Sequence, residues 1–222
     1  MFISTKHKCI FIHIPKTGGS SIHNTLIEEI KPEIGVTHAE PGHYKLSAAF
    51  KRLENRLHVP YVAGEYFTFC FVRNPWDRFV SAYNYLLTGG SINEDPVTGL
   101  DKKDRDKFIS PSKTFNDFVL MHSGGNKIYT GLIYQQHFMP QYKFILNSEN
   151  NLESVDYIGR FENLHEDFDF ICKKIGIEPL DLKHLNNRPH ESYQLYYTDK
   201  TAEIIYNTYK KDIDYFNYSF NS

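Results

Sequence analysis

The run Cys9-Ile10-Phe11-Ile12-His13-Ile14-Pro15-Lys16-Thr17-Gly18-Gly19-Ser20-Ser21-Ile22 decides the fold, because it reads as strand, loop and helix in immediate succession. The apolar residues favour a buried strand, and Pro15, which cannot donate to a sheet ladder, ends it. Gly18-Gly19 supplies a backbone free of Cβ clashes where a tight turn must form. Ser20 and Ser21 suit the first positions of a helix, and Ile22, Leu26, Ile27 and Ile30 recur at helical spacing to give one apolar stripe. A junction of this kind is an anion site. The N–H groups of the helix start, the positive end of its dipole and the loop amides converge where Lys16, Thr17, Ser20 and Ser21 add donors. A phosphate group is the natural guest.

Two further units repeat the pattern. Tyr66-Phe67-Thr68-Phe69-Cys70-Phe71-Val72 favours a pleated, buried strand and reads as central to a sheet. It stops at Arg73-Asn74-Pro75-Trp76-Asp77-Arg78, and Phe79, Val80, Tyr83, Leu86 and Leu87 resume at helical spacing. Arg73 at the strand's end and Ser81 one turn into the helix fall at the carboxyl edge, where α/β sheets bind ligands; the competing reading is an Arg73–Asp77 surface pair with Ser81 as packing. Val155 to Glu162 predicts another strand, Asn163 a cap, and Leu164, Phe168, Ile171 and Ile175 a helix closed by Gly176. Repeated β-then-α order predicts an α/β fold: a P-loop-NTPase-like parallel β-sheet flanked by helices, as a single domain over 1–222.

Between these units the signals are weaker. Lys31-Pro32 ends the first helix, and a loop holding His38, Glu40 and His43 leads into a helical pattern from Tyr44 to Leu57. Residues from about 88 to 127 are polar and read as a mobile insertion, a lid on the substrate side, with a short helix at Phe115, Phe118, Val119 and Met121. His137-Phe138-Met139-Pro140-Gln141 leads into an expected strand from Tyr142 to Leu146. Asn186, Asn187, Arg188, Pro189 and His190 form a loop before a final helix starting at Thr198-Asp199.

Composition bounds the function. A chain of 222 residues can bury roughly 70% of its unfolded surface as one domain. Its formal charge of −2 exerts no global pull on nucleic acid or anionic membrane, so polyanion binding must come from a local patch. Cys9, Cys70 and Cys172 lie far apart, two of them in apolar runs, which favours buried free thiols over a disulfide framework. The opening apolar run of about six residues is too short for a signal segment or a membrane span, so no integral membrane segment and a cytoplasmic location are expected.

The loop departs from the NTP-binding fingerprint, which places Lys after the second Gly with a hydroxyl on Mg²⁺. Here Lys16 precedes Gly18-Gly19, the loop is shorter, and no apolar strand ends in an evident magnesium-holding Asp. Pro15-Lys16-Thr17-Gly18-Gly19-Ser20-Ser21 instead resembles the 5′-phosphosulfate loop of sulfotransferases that use 3′-phosphoadenosine-5′-phosphosulfate (PAPS). Arg73 to Tyr83 resembles that family's 3′-phosphate motif, and Ile158-Gly159-Arg160-Phe161-Glu162-Asn163 with a Tyr-rich C-terminal helix resembles the carbohydrate sulfotransferase branch.

The resemblance implies transfer of a sulfuryl group from PAPS to a hydroxyl of a glycan or other acceptor, with no metal. It implies that Lys16, Thr17, Gly18, Gly19, Ser20 and Ser21 hold the 5′-phosphate, that Arg73 and Ser81 take the 3′-phosphate, and that Arg188 closes over the nucleotide. His43 matches the place of the general base, with His38 in reserve and Glu40 or Glu65 as alternatives. His137, Pro140 and Gln141 match a string near the acceptor, with Arg160 and Glu162 as structural partners. Two other readings stand beside this one: a magnesium-dependent nucleotide kinase or NTPase with a degenerate loop, and a non-catalytic module that binds nucleotide or glycan.

Overall fold

A computed structural model describes residues 1–31, 34–35, 55, 58, 64–87, 109, 112, 114–128, 136–146, 155–182 and 191–222. The chain divides into two compact units, Met1–Arg73 with Gln141–Leu185 and Asn74–Pro140 with Asn186–Ser222. The dividing point between Arg73 and Asn74 falls inside the second motif. His38, Glu40, His43 and Arg188, and positions 88–108 of the expected insertion, lie outside the described residues, as does nearly all of the helix expected from Tyr44 to Leu57.

The first unit holds a five-stranded sheet. Its strands are β1 (Phe2–Ser4), β2 (Cys9–Ile12), β3 (Ile34–Gly35), β4 (Phe67–Val72) and β5 (Tyr157–Arg160), in the order β3-β1-β2-β4-β5. The expected parallel arrangement is found for β2, β4 and β5, with Ile12 beside Cys70 and Val72 beside Arg160. On one side the sheet is extended by an antiparallel pair that the sequence reading did not identify: β1 pairs with β2 as a hairpin and with β3. Three residues are too few for a periodic signal, and β1 owes its conformation to its partners on either side.

Alternation along the strands puts Phe69 and Phe71 on one face, in line with Cys9 and Phe11. Helix α1 (Gly19–Ile30) packs Ile22, Leu26 and Ile30 there. A later helix of the same unit, α5 (Leu164–Lys174), adds Phe168, Ile171 and Cys172 to the same cluster. Lys31 ends α1 in the left-handed conformation, with its N–H on the Ile27 carbonyl at 3.1 Å. Gly176, also left-handed, lets α5 close as expected: its N–H reaches the Lys173 carbonyl and that of Ile177 reaches Cys172. Asn163 precedes α5 without a side-chain cap, because a 3-10 turn at Phe161–Asn163 carries the chain into the helix. The stretch expected as a strand from Tyr142 to Leu146 is a single helical turn, α4 (Tyr142–Ile145). Its apolar residues satisfied both patterns, and Gln141 in helical backbone geometry starts a turn there.

The second unit is helical and aromatic. Its helices are α2 (Pro75–Leu87), α3 (Phe115–Met121) and α6 (Asp199–Phe216), with a 3-10 turn at Tyr193–Tyr196. Helix α2 begins earlier than its apolar spacing suggests. Pro75 takes the first position, where its missing N–H costs nothing, and the Asn74 side-chain oxygen accepts from the Trp76 N–H at 3.1 Å. Thr114 and Thr198 cap α3 and α6, the latter starting where the sequence places it. Phe79, Phe115, Phe118, Phe138, Ile205 and Tyr209 share one core, so the helix from Phe115 onward packs in this unit. Among the described residues, no helix is long and apolar enough to cross a membrane.

Candidate active site

The candidate site belongs to the first unit and is built where its parallel strands end. Beyond Ile12 the chain forms the loop His13–Gly18, and α1 starts at Gly19. Thr17 is buried, and its hydroxyl donates to the Ile14 carbonyl at 2.9 Å. That bond closes the loop on itself and leaves the backbone N–H as the share of Thr17 in any anion contact. Lys16 takes a left-handed φ of 68°, uncommon for a residue with a Cβ, and Gly18 follows at 78°. No side chain caps α1, since its N-cap is Gly18, so the first helical amides face the loop.

Both glycines are sterically required. A Cβ on Gly18 would meet the Leu164 and Phe161 side chains at 3.1–3.3 Å as well as a disfavoured φ. A Cβ on Gly19 would clash with the edge of the His13 ring, so the ring would have to shift. His13 is half-buried, stacks on Phe11 at 5.8 Å, and lies 6.4 Å from the ring of His23 one turn into α1. Sequence reasoning treated His13 as part of the strand. The signal that could have found it is the unbranched Gly19, a gap that a neighbouring ring can fill.

Arg73 completes the site from the end of β4. The Val72–Arg160 pairing brings Arg73 beside Phe161, and the guanidinium carbon sits 3.9 Å from that ring's centroid. One guanidinium nitrogen donates to the Lys16 carbonyl at 3.3 Å. Two motifs far apart in sequence therefore meet in one contact. A guanidinium covered on one face by an aromatic ring and tied at one edge is oriented in advance, with forked donors suited to a phosphate. The Arg73 backbone is clasped by Gln141, which accepts from its N–H and donates to its carbonyl, both at 2.9 Å.

The other expected site residues fall as follows. Ser20 and Ser21 are half-buried in the first turn of α1, beside the loop as expected. Ser81 is half-buried on α2 of the second unit. Glu65 precedes β4 at its amino end and pairs with Lys8 at 2.8 Å on the surface, which raises the Lys8 pKa. The loop and Arg73 stand at the carboxyl ends, so Glu65 is not placed to serve as the base. His137 and Met139 offer backbone carbonyls to the buried Arg78, at 3.1 and 2.5 Å, and the His137 ring lies against Tyr85. The Arg160 N–H is held by Asp167 at 2.6 Å. The same carboxylate accepts from the Tyr157 hydroxyl, whose pKa burial and this bond push up to about 12. Cys9, Cys70 and Cys172 are buried free thiols as expected, and burial pushes the Cys70 thiol far up.

Comparison with known proteins agrees with this geometry. The model described as "Sulfotransferase family" matches residues 1–219. Carbohydrate sulfotransferase 10 of Rattus norvegicus is 24% identical over 242 aligned positions, covering 98% of this chain and 66% of its own length. The Xenopus laevis protein of the same name is 23% identical over 244, covering 98% and 67%. This chain thus spans about two thirds of the length of these relatives. An "uncharacterized protein" of Archaeoglobus fulgidus is 35% identical over 132 positions, 58% of this chain and 83% of that one. No solved structure matches. A loop with its lysine ahead of paired glycines, an arginine brought to it from the end of the neighbouring strand, and a family match over nearly the whole chain lead to one conclusion: the chain belongs to the sulfotransferase family.

Proposed function

We propose that this sulfotransferase takes the sulfuryl group from PAPS and passes it to a hydroxyl of a carbohydrate acceptor, releasing adenosine 3′,5′-bisphosphate. The observation that carries the donor assignment is the contact between Arg73 and the Lys16 carbonyl, which couples a 5′-phosphate loop to a second, phosphate-matched cation. The carbohydrate acceptor is supported by the carbohydrate sulfotransferases that align over 98% of this chain.

PAPS supplies an activated sulfuryl group on a leaving group that gains negative charge at the bridging oxygen as the bond to sulfur breaks. The amides from Thr17 to Ser21 and the dipole of α1 would hold the 5′-phosphate. Lys16 would neutralise the charge that develops on the leaving oxygen, which is electrostatic stabilisation by a fixed group. Arg73, with Ser81 as the motif resemblance implies, would take the 3′-phosphate, and Arg188 would close over the nucleotide. His43 is the proposed general base for the acceptor hydroxyl, since a histidine titrates near neutrality and can take that proton.

The test is a transfer assay with PAPS and a panel of mono- and oligosaccharides, following release of adenosine 3′,5′-bisphosphate alongside sulfated product by mass spectrometry. Product that depends on PAPS and is not formed with ATP and magnesium is expected. ATP turnover in place of sulfation would overturn the proposal.

A further inference from the structure

The structure assigns Gln141 as the positioning residue of Arg73, and through it a share in the preference for a nucleotide bearing a 3′-phosphate; the inference rests on the donor proposed above. Among the described residues, the ladder between β4 and β5 ends at the pairing of Val72 with Arg160, and Arg73 is the next residue of the chain. Arg73 is buried, and buried backbone N–H and C=O groups require partners. Gln141 supplies both. Its side-chain oxygen accepts from the Arg73 N–H and its side-chain NH₂ donates to the Arg73 carbonyl, each at 2.9 Å. A primary amide carries one acceptor and one donor side by side, as a strand peptide does, so Gln141 extends the sheet by one rung.

The rung is fixed in turn. Gln141 is fully buried, and its own carbonyl accepts from the Phe144 N–H at 3.0 Å as α4 begins. With its backbone N–H and carbonyl both tied to Gln141, Arg73 lays its guanidinium against Phe161 and onto the Lys16 carbonyl. The residue types are selective. Glutamate at 141 keeps an acceptor for the N–H but sets a carboxylate against the Arg73 carbonyl, and leucine leaves both backbone groups without that partner. This is a different role from the acceptor contact that the sequence resemblance suggested for Gln141.

The experiment is calorimetry on the full chain with two probes, adenosine 3′,5′-bisphosphate and adenosine 5′-monophosphate, for wild type, Gln141→Leu, Gln141→Glu and Arg73→Ala. Gln141→Leu should weaken the bisphosphate by about tenfold, in line with leaving a buried polar pair unmade, while the monophosphate changes little. Gln141→Glu should fall between wild type and Gln141→Leu. Adding Gln141→Leu to Arg73→Ala should change the bisphosphate affinity no further. Equal weakening of both nucleotides, the mark of a merely structural role, or unchanged bisphosphate affinity would overturn the inference; should Gln141→Leu not fold, Gln141→Glu carries the same comparison. A wild-type chain that does not distinguish the nucleotides would instead overturn the donor reading and this inference with it, an outcome distinct from a wild-type preference that survives in the Gln141 variants.

Discussion

The loop from His13 to Gly19 and the seat of Arg73 are the two parts of the proposed anion site, and they are held by different means. The loop is supported mainly by its own neighbours. Thr17 bonds to the Ile14 carbonyl three residues back, and His13 fills the gap that Gly19 leaves. Arg73 depends on remote chain: Gln141 lies 68 residues further on, and Phe161 follows β5. A locally built element needs the right residues in one stretch, whereas Arg73 needs three strand ends and a helical turn to be correctly assembled. Damage to the loop should therefore appear in chemistry and local stability, and damage to the Arg73 seat in nucleotide recognition.

The largest effect is expected from Lys16→Ala. Removing the fixed charge proposed to stabilise the leaving oxygen should lower kcat by about 10²–10³, with much less change in the affinity for adenosine 3′,5′-bisphosphate. Steady-state kinetics beside calorimetry would show it, and an equal loss in both would mean that Lys16 serves binding alone. Gly19→Ala comes next. Its Cβ must displace the His13 ring, and overpacking of this kind costs about 1–3 kcal/mol of stability. Urea unfolding would measure the loss, and His13→Ala in the same chain should recover part of it; no recovery would mean that His13 does not close the loop. The smallest effect belongs to Phe161→Leu, which keeps apolar bulk against Gly18 but removes the ring face from Arg73. A loss of about 1 kcal/mol, roughly fivefold in nucleotide affinity, is expected. An unchanged affinity would place the orientation of Arg73 wholly in its backbone.

The same division explains what the sequence made legible. The loop could be read because proline, lysine and paired glycines sit in one run and each has a local physical meaning. Strands β2, β4 and β5 were legible from their apolar residues, and the ends of α1, α5 and α6 from Lys31, Gly176 and Thr198. Strand β1 was not, because its conformation comes from pairing with β2 and β3. Tyr142–Ile145 was misread as a strand because four residues cannot separate the two periodicities. The motif around Arg73 was visible, but Gln141 and Phe161 as its supports were not, since nothing local marks a side chain that will complete a rung of a distant strand. Helix α2 likewise begins at Pro75, ahead of the apolar residues from Phe79 onward whose spacing marks it.

The central claim is that Arg73, held against the Lys16 carbonyl, makes this loop one half of a site for a nucleotide with phosphates at both its 3′ and 5′ positions. Calorimetric titration of adenosine 3′,5′-bisphosphate and ADP into the wild-type chain and Arg73→Ala tests it most directly. Tighter binding of the bisphosphate to wild type, with that preference lost in Arg73→Ala, is the predicted result. Equal affinities for the two nucleotides in wild type, or a preference that survives in Arg73→Ala, would contradict it.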